Sequence, residues 1–119
     1  MEGLVGTLPS AQMSPRIVNG VIKWYEGDTF ALQVEIELTD DNGEQVVIQP
    51  TDEVQFVFRN AKREIVHEIR EIGIENNCVT LYFTEEVSNK FPKGRYEYDV
   101  YYIGAERKTL SNDSPIVVE

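Results

Sequence analysis

The sequence predicts an all-β domain, a two-sheet antiparallel β-sandwich of immunoglobulin-like type with one short helical turn. Three observations carry that reading. Residues 29–39 alternate strictly, with Phe30, Leu32, Val34, Ile36 and Leu38 set against Ala31, Gln33, Glu35 and Glu37, and a period of two means one buried and one wet face. Seven or eight short segments of this kind recur at regular spacing, divided by Gly, Pro, Asn and Asp turn signals, with almost no helical periodicity. Residues 91–103 supply a late core strand. There Pro92 and Gly94 fix a turn, because one locks φ and the other tolerates positive φ, and Tyr96, Tyr98, Val100 and Tyr102 fall on one face.

Residues 1–16, rich in Gly, Ser, Thr, Pro and Gln, lack either period and read as a flexible arm that a neighbouring subunit could order; the sandwich domain spans residues 17–119. Val21, Ile22, Trp24 and Tyr25 make a short β-prone segment, and Glu26-Gly27-Asp28 turns the chain into the strand at 29–39. Asp40-Asp41-Asn42-Gly43-Glu44 is the most specific turn in the chain. Its Asn-Gly accepts the left-handed dihedrals of a two-residue hairpin turn, and residues 45–48 are expected to return as a short strand. After Pro50-Thr51-Asp52, residues 53–59 point Val54, Phe56 and Phe58 inward.

Residues 64–72 fit neither period cleanly. As a helix they put Ile65, Ile69 and Ile72 on one face, and as a strand Ile65, His67 and Ile69; the short polar loop Asn60-Ala61-Lys62-Arg63 before them favours the strand of a hairpin. Glu75-Asn76-Asn77 then leads into residues 78–84, with Val79, Leu81 and Phe83 inward. Thr84, followed by Glu85 and Glu86, caps a single helical turn that would cross between the sheets. Beyond the central strand, Gly104-Ala105-Glu106-Arg107 turns the chain, residues 108–110 pair back, and residues 116–118 close the fold. Tyr96, just after a glycine turn, resembles the tyrosine corner of immunoglobulin-like Greek keys, although paired cysteines and a tryptophan in the third strand are missing.

A chain of 119 residues fits one domain and buries roughly two thirds of its unfolded surface. Eleven basic against twenty-one acidic residues leave a net charge of −10, which repels phosphates and anionic bilayers and argues against nucleic acid and membrane as partners. Cys78 is alone, which fits a reducing compartment. No apolar run approaches the ~20 residues of a membrane span. The first fifteen residues also lack the basic and apolar regions of a secretory signal peptide, so nothing there directs export.

Chemistry-bearing patterns are sparse, and the sequence reads as a protein that is not an enzyme, with no catalytic, cofactor or metal residues. His67 is the single histidine, so a thiol–imidazole pair would have to join it to Cys78, which reads as a core or strand-start residue. Asp40, Asp41 and Glu44 around Asn42 could offer oxygens to calcium, yet Gly43 is misplaced for an EF-hand loop and no distant bidentate glutamate follows. That leaves aromatics as the candidate partner- or ligand-binding residues. Trp24, Tyr25 and Tyr101, with Tyr102, would form a platform for a sugar ring or a partner protein if exposed, and would fill the core if not.

One family carries several of these pieces in the same order. Glu26-Gly27-Asp28-Thr29-Phe30 opening an alternating strand, Asp41-Asn42-Gly43 in the next turn, Val54-Gln55-Phe56-Val57-Phe58, Val79-Thr80-Leu81, Pro92-Lys93-Gly94-Arg95-Tyr96-Glu97-Tyr98 and a final Ile116-Val117-Val118 resemble the N-terminal β-sandwich of phage baseplate upper proteins. The likeness runs from Ile17 to the end. It implies a structural module that packs into a tail tip and supports host-adsorption parts, located in the virion tail or, when prophage-encoded, in the bacterial cytoplasm. Other tail and baseplate proteins would be its partners, with no catalysis and no cofactor. Members of that family continue into receptor-binding segments, so a chain ending at Glu119 is expected to be a stand-alone accessory protein or the domain without its extension. A homo-oligomer is expected from the arm and the long β edges. The alternative function is a carbohydrate-binding or adhesin-type module using the aromatic platform.

Overall fold

The structure, a computed structural model, describes residues 15–119. The arm expected over residues 1–16 lies outside them except for its last two residues, and Arg16 already opens a strand. Eight strands and one helical turn follow in order: β1 (Arg16–Val18), β2 (Val21–Trp24), β3 (Phe30–Glu35), β4 (Glu53–Asn60), β5 (Ile65–Ile72), β6 (Cys78–Phe83), α1 (Glu85–Ser88), β7 (Gly94–Ile103) and β8 (Arg107–Val118). They form a six-stranded sheet in the order β1-β2-β8-β7-β4-β5 and a two-stranded sheet, β3-β6.

Alternation places the core between these sheets. Val54, Phe56 and Phe58 of β4 and Tyr96, Val100 and Tyr102 of β7 are buried on one side, and Val79, Leu81 and Phe83 of β6 on the other. The layers meet edge to face where the Phe58 and Phe83 rings lie 5.8 Å apart. Phe91, fully enclosed in the crossover, touches both layers, with ring centroids 5.6 Å from Trp24, 5.7 Å from Phe83 and 5.1 Å from Tyr96. α1 carries the chain between the sheets as expected: the Thr84 hydroxyl accepts from the Val87 amide, and the Ser88 hydroxyl donates to the Asp28 carbonyl. β7 opens on the expected turn, where the Tyr96 hydroxyl donates back to the Pro92 carbonyl at 2.5 Å.

Four features depart from the sequence reading. First, the large sheet is not wholly antiparallel, because β2 runs parallel to β8 with Ile22 beside Ile116 and Trp24 beside Val118. Second, the strand expected over residues 29–39 ends at Glu35, and residues 45–48 do not return as a ladder but meet it only through a Thr39–Gln45 bridge. The turn between them is one residue longer than a two-residue hairpin turn. Gly43 alone is left-handed, at φ +82°, its amide bonds to the Asp40 carbonyl, and the Asp40 carboxylate accepts from the Asn42 and Glu44 amides.

What replaces the lost ladder is Asn77, buried and left-handed at φ 52°. Its side chain accepts from the Ile48 amide and donates to the Val46 and Ile36 carbonyls, so one amide group secures a segment that has no strand partner.

Third, residues 108–110 and 116–118 belong to one twelve-residue strand, β8, bent by register shifts against β7 near Tyr98, Val100 and Tyr101. Pro115 is tolerated there because the pairing with β2 begins only at Ile116. Fourth, β1 was not expected at all. Asn19 and Gly20, at φ 52° and 81°, close a tight hairpin that pairs Val18 with Val21. Residues 64–72 form the strand that the short preceding loop favours, hydrogen-bonded to β4 on one side only.

Candidate functional site

The proposed aromatic platform does not assemble. Trp24 is 1 % exposed and sits among Phe30, Phe83 and Phe91, since β2 turns it toward the small sheet. Tyr102 is likewise interior, its hydroxyl donating to Asp52 at 2.7 Å, and Gly104 lies so close that a Cβ there would meet the Tyr102 hydroxyl at 2.3 Å. The bond to Asp52 and burial together raise the Tyr102 phenol above its ordinary value.

Tyr25 is exposed and Tyr101 half-buried, and the two lie apart. Tyr25 follows the β2 end that lies beside Val118 and Gly94, whereas Tyr101 pairs with Thr109, seven residues along β7, about 23 Å at strand rise. Each ring also carries a guanidinium over one face, Arg16 at 4.9 Å from Tyr25 and Arg107 at 4.2 Å from Tyr101.

Polar groups that could do chemistry are committed to structure. Asp99 lies on the outer face of the central strand β7 yet is only 2 % exposed, beside Val57 of β4 and under the bend of β8. Its carboxylate accepts from the Asp113 amide at 2.8 Å, the Tyr101 hydroxyl at 2.9 Å and the Arg59 guanidinium. Burial alone would push this carboxyl up; the three donors outweigh it and hold Asp99 below the usual carboxylate range. Nothing in the sequence separates Asp99 from Glu97 two residues before it, because its burial is made by the fold of β8.

His67 and Cys78 face different spaces. The imidazole points into the layer interface beside Phe58 and Phe91, with Lys90 Nζ at 3.4 Å, and burial and then the Lys90 charge lower its pKa, so the ring is neutral at pH 7. Cys78 opposes Glu35 on the other side of the small sheet from Val79. No group of three or more His, Cys, Asp or Glu among the described residues is placed to hold a metal ion.

The surface feature that stands out is uncovered strand edge. β5 ends the large sheet with eight residues whose outward amides and carbonyls have no strand beside them among the described residues, and Ile65 and Ile72 are 53 % and 63 % exposed. β1 ends the same sheet on the far side with Ile17 and Val18 exposed. Between the layers, an open groove of about 330 Å³ runs past Val34, Glu37, Tyr98 and Leu110. A second one of about 260 Å³ is lined by Glu71 and Ile72 at the end of β5, by the loop that follows, and by Cys78 and Tyr82 of β6. Sequence reasoning reached the long edges in general terms but not this strand, because edge position depends on sheet order, which periodicity does not encode.

No protein-family model matches this chain, and no curated protein matches it.

Proposed function

We propose that this chain is a non-catalytic docking module, an immunoglobulin-like sandwich that acts as a structural part of a phage or prophage tail baseplate and is held there by protein–protein contacts. The observation that supports docking is the free β5 edge with its exposed isoleucines, a surface that pairs with other backbone and that soluble proteins ordinarily cover. The ionisable groups of the interior lend no competing support for turnover, because Asp99 and Asp52 are both spent on structural hydrogen bonds. The tail setting rests on the ordered likeness from Glu26 to Val118, and the Tyr96–Pro92 bond supports the immunoglobulin-like part of the reading.

The carbohydrate-binding alternative has less behind it. Trp24 is enclosed, and Tyr25 and Tyr101 lie at separate places, each with one ring face already under an arginine.

Mass spectrometry of tail particles, purified after induction of the bacterium that encodes the chain, tests the assignment. Peptides of this protein should appear in fixed stoichiometry with the other tail proteins. Particles that are complete and infectious without it would overturn the tail reading.

A further inference from the structure

Among the described residues four strand edges are open, and of these β5 alone carries opposite charges in an order that answers itself. On its outer face Glu68 opposes Val57 and Arg70 opposes Gln55; on its inner face His67, Ile69 and Glu71 oppose Phe58, Phe56 and Val54. Suppose a second copy adds its own β5 to this edge, antiparallel about a two-fold axis. Residues that pair across an antiparallel ladder share a face, so the axis must pass through a residue, and a slip by one would turn inner side chains outward.

The possible centres can then be compared one by one. An axis at Glu68 sets Glu68 against its own copy, one at Arg70 sets arginine against arginine, and one at Glu71 sets glutamate against glutamate. Centring on His67 opposes Glu68 to Val66. Among centres within β5, an axis at Ile69 is the one that sets residues of opposite charge of this strand against each other and no like charges together. It sets Ile69 against Ile69, Glu68 against Arg70 and His67 against Glu71, the last two pairs each occurring twice, and leaves Ile65, Val66 and Ile72 together at the two ends.

Within one chain Glu71 has no hydrogen-bond or ion-pair partner among the described residues, and Arg70 is 3.9 Å from Glu53 and 4.0 Å from Glu68 with its side chain 63 % exposed. Glu71 is therefore available, and Arg70, held within the chain only by these long and exposed contacts, can turn to a partner. The other edges offer no such match: β6 carries no charged residue, β3 has only Glu35, and β1 is three residues long. The groove at the end of β5 brings Tyr82, 66 % exposed, near Glu71 and Ile72.

We infer that two copies of this chain associate through β5, antiparallel and centred on Ile69, extending the large sheet continuously across the dimer. This goes beyond the tail assignment and does not depend on it, so absence from tail particles would leave it standing. Sedimentation equilibrium of the full chain from micromolar to millimolar concentration should show a monomer–dimer equilibrium. Glu68→Arg alone and Arg70→Glu alone each turn two attractive pairs into repulsive ones and should weaken the dimer about tenfold to a hundredfold. The double variant E68R/R70E restores opposite charges in the same register and should recover dimerisation, with circular dichroism verifying that all three variants are folded. A monomer at every concentration would overturn the inference. So would a dimer indifferent to the single substitutions, or a double variant no better than its parents.

Discussion

Phe91→Ala is expected to be the most damaging substitution in the chain, costing about 3–5 kcal/mol of unfolding free energy. The side chain is 0 % exposed and has ring neighbours on both sheets: Trp24, Phe58, His67 and Tyr96 on the large one and Phe83 on the small one. Because those neighbours belong to five different strands, β2, β4, β5, β6 and β7, they cannot all close in, and a cavity remains. Urea unfolding followed by circular dichroism measures the effect. Tyr25→Ala, at a ring 52 % exposed, should stay within about 0.5 kcal/mol of wild type. A Phe91→Ala variant as stable as Tyr25→Ala would mean that the two layers do not meet at this ring.

Loss of Asp99 should rank next. Asp99→Ala removes the shared acceptor of the Arg59 guanidinium, the Tyr101 hydroxyl and the Asp113 amide. Breaking a buried ion pair from one side costs about 3–5 kcal/mol; because the Arg59 side chain is 22 % exposed and can turn to water, about 2–4 kcal/mol is expected. The same carboxylate has a signature in pH. Its folded pKa lies below its unfolded value of about 3.9, so it stabilises the fold above that pH and the contribution disappears as pH falls through the folded value. The stability gap between wild type and Asp99→Asn should therefore be widest near neutrality and shrink in acid. A gap that stays constant from pH 7 to pH 2 would contradict the three-donor arrangement.

The strands of this protein were legible wherever one face is apolar and the next residue is not. Phe30 to Leu38, Val54 to Phe58, Val79 to Phe83 and Tyr96 to Tyr102 all face as their alternation requires, and Thr84 marks the one helical turn. Partnership was less legible, because it is set by other parts of the chain. Residues 45–48 have the composition of a strand but no neighbour to pair with beyond Gln45, since Asn77 takes up the amide and carbonyls of Ile48, Val46 and Ile36. The Asn19-Gly20 hairpin offered the same dipeptide signal as Asn42-Gly43 and was missed beside so short a strand.

The candidate site divides in the same way. For Trp24 the sequence favours core filling over a surface platform, and the pairing of β2 with β8 turns it inward. Tyr101 lies on the opposite face of β7 from Tyr98, Val100 and Tyr102, and its contacts come from elsewhere: Arg107 across a turn and Asp99 two residues back on the same face. The edge position of β5 follows from sheet order alone, which is why His67, Glu68, Arg70 and Glu71 gave no docking signal in the sequence.

Residue-resolved amide exchange in dilute solution tests most directly the claim that this protein offers an open strand for docking. Along an edge strand, amides alternate between the neighbouring strand and the open side. The account predicts slow exchange throughout β4 and β7, which are flanked on both sides, and alternating slow and fast exchange along β5. Uniform protection of β5 at dilutions where the chain is a monomer would mean that the edge is already covered and would contradict the account.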